Sequence, residues 1–252
     1  LEREGRQRWN SRLRDVLAAT GPARELDVFL VETLPAARAA LEPGDGAALD
    51  ALARRAQGAC ERAYAQVRDH LDSRPHADLV LDLADWLALE GWSAPGDGAP
   101  PAALAQPAVD LARRLLERRH KRVRKLGRHF ASLDDARRHE VRLALKKLRY
   151  GVEFLAGLFP GKSAKRYSKA AAALQDVLGR LNDRAECRRL LLDLAAAAEP
   201  PDAADGRAFE RGIGLVLGWQ TVGMAAERET ATAAWEAFVA QDRFWLPEDE
   251  AG

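Results

Sequence analysis

The chain has 252 residues, of which 47% are hydrophobic and 31% charged, and its formal net charge at pH 7 is +1. This balance is typical of a soluble globular protein with a buried core. No run of about 18 apolar residues exists, and the first twenty residues are charged throughout, so we expect neither a membrane span nor a signal peptide. We therefore predict a cytoplasmic protein.

Ala, Leu, Arg and Glu dominate the composition while Val and Ile are sparse, which favours helices over strands and predicts an all-α fold. Apolar periodicity and breaker residues set the expected helix boundaries. The predicted helices, in chain order, are about 6–19, 22–41, 46–73, 76–92, 105–131, 134–159, 163–180, 183–198, 204–229 and 231–242.

Several helix ends carry local signals. Gly21-Pro22 predicts a helix start, with proline at a first helical position. Ser132 with Asp135 three residues later resembles a capping box. Gly179 and Asn182 are interpreted as a helix break followed by an asparagine cap.

The segment 93-SAPGDGAPPAALAQP-107 is rich in Pro, Gly and Ala, and it predicts a linker between two helical halves of one domain, 1–92 and 108–252. The halves look distantly alike at an offset of about 160 residues, which indicates a duplicated unit. A first-half counterpart of His139 would fall ahead of Leu1, so we expect the first half to lack that helix in this chain.

Positive charge is concentrated in one stretch of the chain. Residues 111–169 hold 19 Lys/Arg and 5 Asp/Glu, a net of +14, whereas the remainder holds 20 basic and 33 acidic residues, a net of −13. Segregation of this kind tells more about what a protein binds than about its fold, because an electrostatic field of one sign attracts a ligand of the opposite charge.

The predicted helix 134–159 has two different faces. Val141, Leu145, Leu148, Val152 and Leu155 recur at spacings of 4, 3, 4 and 3, and they predict a buried apolar face. His139, Arg142, Lys146 and Arg149 recur at spacings of 3, 4 and 3 along another face. Uncompensated cations cannot be buried against hydrocarbon, so the basic face must meet water or an anion.

Two more basic stripes flank this helix. One lies on the preceding helix, at Arg114, Arg118, Lys121, Lys125 and Arg128 with Arg122 beside them, and the other on the following helix, at Lys162, Lys165, Arg166 and Lys169. Like charges at helical spacing repel one another, which calls for a compensating anion. We expect the three stripes to converge on one concave surface.

The sequence contains none of the common motifs of catalysis or metal binding. The chain has no Gly-rich phosphate loop, no H-E-x-x-H, no G-x-S-x-G and no acidic cluster suited to a divalent metal. Its two cysteines, Cys60 and Cys187, lack metal-ligand spacing and are expected to be reduced thiols. We predict a binding protein that is not an enzyme and that uses no cofactor and no metal.

The stretches 139-HEVRLALKKLRYGVEFL-155 and 165-KRYSKAAAALQDVLGRLND-183 resemble a family signature. They are similar to the H-x-x-R-x-x-x-K-x-L-R-Y and Leu-Gln-Asp-x-Leu-Gly-x-x-Asn-Asp runs of the CHAD family, the conserved histidine α-helical domains. The upstream 21-GPARELDVFL-30 resembles the family's first-half Gly-x-x-Arg-Asp-Leu-Asp-Val run, with Glu25 where Asp is usual. The resemblance covers nearly the whole chain.

The resemblance implies two pseudo-symmetric antiparallel four-helix bundles, the first lacking its initial helix in this chain. It also implies binding of inorganic polyphosphate in a basic groove or pore, lined here by helices 105–131, 134–159 and 163–180, and an association with polyphosphate granules. The predicted polyphosphate-binding residues are Arg114, Arg118, Lys121, Arg122, Lys125, Arg128, His139, Arg142, Lys146, Arg149, Tyr150, Lys165, Arg166 and Lys169, together with Arg8 and Arg12.

Two alternatives remain open. Sequence-independent nucleic-acid binding would use the same phosphate contacts, but the basic stripes contain almost no aromatic residues for base stacking and few Asn or Gln residues for base edges. The second alternative is a helical scaffold that docks an acidic protein, and the sequence indicates no particular partner. Competition among polyphosphate, RNA and an acidic peptide would separate the three.

Overall fold

The computed structural model describes residues 3–89, 106–159, 161–197 and 203–246. Within these ranges all regular secondary structure is helical, which confirms the predicted all-α class. The α-helices are α1 (Arg3–Val28), α2 (Leu34–Ala40), α3 (Gly46–Leu71), α4 (Arg74–Ala88), α5 (Ala108–Leu126), α6 (Asp135–Leu155), α7 (Ser163–Ala196), α8 (Ala203–Thr221) and α9 (Met224–Val239). Among the described helices, none combines the length and apolarity needed to cross a bilayer. The predicted linker 93–107 lies outside the described residues except at its last two positions.

Helix α1 continues through the break predicted at Gly21 and Pro22, so that prediction is wrong. A proline inside a helix removes one backbone hydrogen bond and costs about 3 kcal/mol. Ala23, Leu26 and Phe29, which follow it, are all buried in a core. Burial of these side chains outweighs the local cost of the proline, and the chain stays helical into a π-helical turn at Phe29–Thr33.

Helix α7 is a single helix of 34 residues, so the break predicted at Gly179 and Asn182 is also wrong. Leu174, Leu178 and Leu181 are buried along one face of this helix. Each buried leucine contributes about 1.5–3 kcal/mol, more than the roughly 1 kcal/mol that a glycine costs in a helix. Tertiary packing therefore decides the conformation where local preference predicted a break.

The start of α6 differs slightly from the predicted capping box. Asp134, rather than Ser132, is the N-cap residue, and its carboxylate accepts a hydrogen bond from the backbone N–H of Arg137 at 2.8 Å. The helix therefore begins with an acidic cap, which also suits the positive end of the helix dipole.

The chain divides into two compact units, Leu1–Leu104 with Glu186–Thr221, and Ala105–Ala185 with Val222–Gly252. The first unit has a core of small and aliphatic side chains, in which Leu49 and Leu52 of α3 pack with Leu191 and Phe209. Both cysteines are buried in this core, and both are free thiols. Because 186–221 packs with the first unit, the units differ from the predicted halves 1–92 and 108–252.

The second unit has a core rich in aromatic residues. Leu145 and Leu148 of α6 pack with Tyr167 of α7, Phe238 of α9 and Trp245, and all five side chains are fully buried. The Tyr167 and Trp245 ring centroids are 5.0 Å apart in an edge-to-face arrangement. The segment after α9 is therefore part of the core of this unit.

A buried polar network joins this core to α5. The Tyr167 hydroxyl lies 2.8 Å from Nδ1 of His120, and burial lowers the pKa of His120 to about 4, despite an opposing effect of the Glu117 charge. Trp245 donates from Nε1 to Glu117 at 3.0 Å, and Arg243 pairs with the same carboxylate at 3.3 Å. Burial acts to raise the pKa of Glu117, but these contacts and Lys121 outweigh it and hold that pKa below its usual value.

Candidate functional site

Helix α6 has the two faces that its spacing predicts. Val141, Leu145, Leu148 and Val152 are buried in the core of the second unit, at 0 to 1% exposure. His139, Arg142 and Arg149 are half-buried and Lys146 is exposed, and these four residues form the basic face of α6. At about 100° per residue the basic face lies beside the buried face rather than opposite it, so it borders a neighbouring helix.

The neighbour of this basic face is α7. Nδ1 of His139 forms a short hydrogen bond with Oδ1 of Asn182, and Nε of Arg149 donates to Oε1 of Gln175 at 2.9 Å. The first contact joins the start of the α6 basic face to a later residue of α7, and the second joins its end to an earlier one. The two helices are therefore antiparallel here, and each end of the basic face is fixed by an amide side chain of α7.

Between these two contacts, α7 carries a glycine that leaves open space beside the basic face of α6. Gly179 lies between Gln175 and Asn182 on the same face of α7, at spacings of 4 and 3, and a Cβ atom added at Gly179 would meet no atom within 4 Å. We use the name α6–α7 groove for the surface that seven residues form here: His139, Arg142, Lys146, Arg149, Gln175, Gly179 and Asn182.

The three α7 residues of the groove were not predicted as site residues. Gly179 and Asn182 were interpreted as a helix break, although Gln175, Gly179 and Asn182 recur at helical spacing and so share one face of a continuous helix. That spacing, and the place of all three residues at fixed positions of the family run quoted above, are the signals in the sequence. They were missed because glycine and asparagine are common at helix ends.

Asn182 sets the orientation of His139. Oδ1 of the amide faces Nδ1 of the imidazole, and an oxygen can only accept, so a hydrogen bond here requires the Nδ1–H tautomer and leaves Nε2 for a ligand. Asn182 is 8% exposed, and its Nδ2 group has no hydrogen-bond partner within the described part of the chain. A buried unsatisfied donor is costly, so this N–H group favours an acceptor beside His139.

The basic residues of the groove differ in how they are compensated. Arg149 already has a carboxylate partner, Glu153 one turn further along α6. Arg142 and Lys146 have no carboxylate within 4.0 Å among the described residues, although acidic side chains occur elsewhere on α6. Tyr150 lies beside Lys146 and Arg149, 42% exposed, with Nζ of Lys146 5.9 Å and Cζ of Arg149 5.3 Å from its ring centroid. Arg142 and Lys146 are therefore the groove cations that an anion can reach without displacing a carboxylate.

The stripe on α5 does not face this groove. Its members Arg114, Arg118, Lys121, Arg122, Lys125 and Arg128 are exposed. The buried residues Leu116 and Val123 lie on roughly the opposite side of α5. Arg119, on the flank of α5 that meets α6, donates to the backbone carbonyl of Lys147, which is on a different side of α6 from the basic face. The predicted convergence of all three stripes is therefore wrong for α5.

The remaining predicted residues have mixed positions. Lys165, Arg166 and Lys169 are exposed on one side of α7, in the turns before Gln175, and Arg166 donates to Oγ of Ser163 at 3.1 Å. Arg8 and Arg12 belong to the first unit, where both pair with Asp82, at 3.1 and 2.6 Å.

Most of the predicted cations in the second unit lack an acidic partner. Twelve of the predicted site residues there are Lys or Arg, and two of them form ion pairs, Lys121 with Glu117 and Arg149 with Glu153. Within the described residues, the other ten form none. The unit therefore has a strongly positive and largely uncompensated surface.

Comparisons with known proteins agree with this architecture. The model of the CHAD domain family matches residues 1–192. The crystal structure of the CHAD domain from the plant Ricinus communis superimposes with a TM-score of 0.70 at 26% sequence identity, covering 92% of this chain and 72% of that one. No significant match was found among curated protein sequences. Because the family model matches well over half of the chain, this protein belongs to the CHAD domain family.

Proposed function

We propose that this protein binds inorganic polyphosphate along the α6–α7 groove. The observation that carries the proposal is the pair Arg142 and Lys146, two adjacent groove cations with no carboxylate partner among the described residues. An anion with several linked charges compensates both at once. Family membership supports the same ligand through the resemblance described above.

The dimensions of the basic face suit a linear polyanion. From His139 to Arg149 the helix rises about 15 Å, at 1.5 Å per residue, and one cationic or imidazole side chain is presented at each turn. Polyphosphate carries about one negative charge per phosphate at neutral pH, so successive phosphates can meet successive side chains. Arginine offers two parallel donors to phosphate oxygens, and lysine acts as a point charge.

The two amide side chains of α7 hold the side chains of the groove in place. Gln175 and Asn182 hold Arg149 and His139 at the two ends, and Gly179 leaves room between them. A preorganised cation loses less side-chain entropy when it binds. We therefore assign contact with the phosphates to Arg142, Lys146 and Nε2 of His139, and a positioning role to the two amides.

The test is a double charge reversal in the groove, Arg142→Glu with Lys146→Glu. Each charged hydrogen bond is worth roughly 1.5–3 kcal/mol, so losing two should weaken binding of a long polyphosphate well over tenfold in calorimetric titrations. The matched control is Arg114→Glu with Arg118→Glu on α5, which changes the net charge equally but lies away from the groove. We expect the control to weaken binding only a few-fold, through the general field.

Two readings complete this test. Far-ultraviolet circular dichroism should show the same helix content in both variants, since all four residues lie on solvent-accessible faces. The logarithm of affinity should fall linearly with the logarithm of salt concentration, with a slope of about −0.7 per phosphate contacted if single-stranded nucleic acid is a fair analogue. Equal losses in the two variants would contradict the groove, and tighter binding of RNA than of polyphosphate at matched charge would favour the nucleic-acid alternative.

A further inference from the structure

The second unit contains a pocket that the groove does not include. Its volume is about 480 Å³, and it lies where the end of α5 meets α9. We call it the α5–α9 pocket; its lining residues are Lys121, Arg124, Lys125, Gly127, Arg128, His129, Trp235 and Val239. Three of these belong to the α5 stripe, whose residues do not face the groove.

The lining of this pocket is strongly basic. Four Lys or Arg side chains and one histidine line it, and among the described residues no acidic one does. Lys121 pairs with Glu117, and Arg124 donates to the backbone carbonyl of Val239 at 3.5 Å. Lys125 and Arg128 form no ion pair within the described part of the chain. The pocket therefore has two cations that are already oriented by neighbours and two that are uncompensated.

One wall of the pocket is rigid. The Trp235 ring stacks on the buried Phe130, with centroids 4.9 Å apart and planes within 3°. Its outer edge rests directly on Gly127, where an added Cβ atom would lie 2.0 Å from Cη2 of the indole. Only glycine at position 127 allows this approach. The fixed position of Trp235 thus shapes the pocket. One face of its indole ring is already covered by Phe130.

The turn after α5 brings His129 to the pocket. His129 has a φ of 59° and lies in the left-handed region, which is uncommon for residues other than glycine. Its carbonyl accepts hydrogen bonds from the backbone N–H and the hydroxyl of Ser132, both at 3.0 Å, which stabilise this conformation. The backbone reversal turns the chain at the end of α5 and places His129 with Lys125 and Arg128 around one cavity.

Basic residues in the last turn of a helix often offset its dipole, and Arg124 and Lys125 serve α5 in that way. The dipole falls off within that turn, so it does not account for Lys121 or for Arg128, which lies beyond the helix end. Nor does it account for the cavity that Gly127 and Trp235 create.

We propose that the α5–α9 pocket is a second anion site of this unit, separate from the α6–α7 groove, and that it binds a compact oligophosphate such as a triphosphate group. The cavity gathers its cations within the last turns of α5 and the turn that follows, and its Lys, Arg and Trp side chains can only donate hydrogen bonds. Clustered cations suit several phosphoryl oxygens held close together. The group could be free or attached to a nucleoside, because the recognition chemistry is the same.

The test uses Trp235 as the reporter. In protein labelled with 5-fluorotryptophan, the fluorine resonance of Trp235 is assigned by its loss in Trp235→Phe, which resolves it from the other five tryptophans. Titration with tripolyphosphate should shift this resonance. In Lys125→Glu with Arg128→Glu the midpoint should rise at least tenfold, while in Arg142→Glu with Lys146→Glu it should change less than threefold. A parallel titration with ATP shows whether a nucleoside-linked triphosphate enters as well.

A second variant separates shape from charge. Gly127→Ala keeps every cation but forces the Trp235 ring away, so it should weaken tripolyphosphate binding several-fold while binding of long polyphosphate to the groove persists. The proposal fails if tripolyphosphate leaves the Trp235 resonance unmoved, or if Lys125→Glu with Arg128→Glu binds it as tightly as the unmodified protein. Failure of the groove proposal looks different, because it appears as unaltered binding of long polyphosphate in Arg142→Glu with Lys146→Glu.

Discussion

The two units handle positive charge in different ways. In the first unit arginines are paired with carboxylates of other elements, as Arg54 with Asp205 at 2.7 Å and Arg211 with Asp45 at 2.6 Å. In the second unit ten of the twelve predicted cationic site residues have no such partner within the described residues. Exposed ion pairs are worth little in stability, so the difference concerns charge compensation more than folding. Several arginines of the first unit are therefore paired across elements, whereas most cations of the basic stripes in the second unit are unpaired within the described residues.

The cores of the units differ as well. The first is built largely from alanine and leucine, whereas the second contains Tyr167, Phe238 and Trp245 around His120. Large aromatic side chains make more of the stability depend on a few residues. The second unit should therefore respond more strongly than the first to single substitutions and to pH.

The largest expected effect is that of Trp245→Ala in the second unit. Trp245 is fully buried and donates to Glu117, so its removal leaves a cavity and an incompletely bonded carboxylate, at a cost of about 3–5 kcal/mol. Hydrogen exchange of α6 amides should rise while that of α3 amides stays unchanged. The control Trp9→Ala removes a half-buried ring of the first unit and should cost about 1–2 kcal/mol. Equal effects in both units would contradict the contrast.

The next effect is a loss of stability in acid. In the unfolded chain His120 has its ordinary pKa of 6.5, and burial lowers this to about 4 in the folded unit. The unfolded state binds the proton first, so stability is fully present above pH 6.5 and falls as pH drops towards 4, by about 3 kcal/mol. Urea titrations of the second unit at several pH values measure this. The slope should largely disappear in His120→Gln, and an unchanged slope there would assign the acid sensitivity to another group.

The smallest effect concerns an ion pair of the first unit. Asp205 pairs with Arg54 at 2.7 Å and with Arg55 at 3.7 Å, and all three side chains are partly exposed. Asp205→Asn should cost less than about 1 kcal/mol at low salt and still less at 1 M salt. The polyphosphate affinity of this variant should stay within about twofold of that of the unmodified protein, because two unpaired arginines alone do not form a preorganised site. A several-fold gain would show that uncompensated charge alone is sufficient for binding.

The parts of this molecule that the sequence predicts are those fixed by periodicity within one helix. The two faces of α6 follow from spacing alone, and its apolar face is buried as predicted. Pro22 and Gly179 misled the prediction because their local preference for a break is outweighed by burial of neighbouring side chains. Periodicity also cannot tell which helix borders which face. The α5 stripe was correctly predicted as a basic surface, but its separation from the groove depends on tertiary contacts such as that of Arg119 with α6.

The two cysteines have a practical consequence for studying this protein. Cys60 and Cys187 are 5% and 6% exposed, and burial is the main cause that raises the pKa of both thiols, that of Cys187 to about 11. At neutral pH both are protonated and shielded, so maleimide reagents should react with them slowly. A cysteine introduced at an exposed position such as Lys165 or Thr230 would be labelled selectively. Fluorescent or spin labels can therefore be attached beside the groove or away from it without first removing the native thiols.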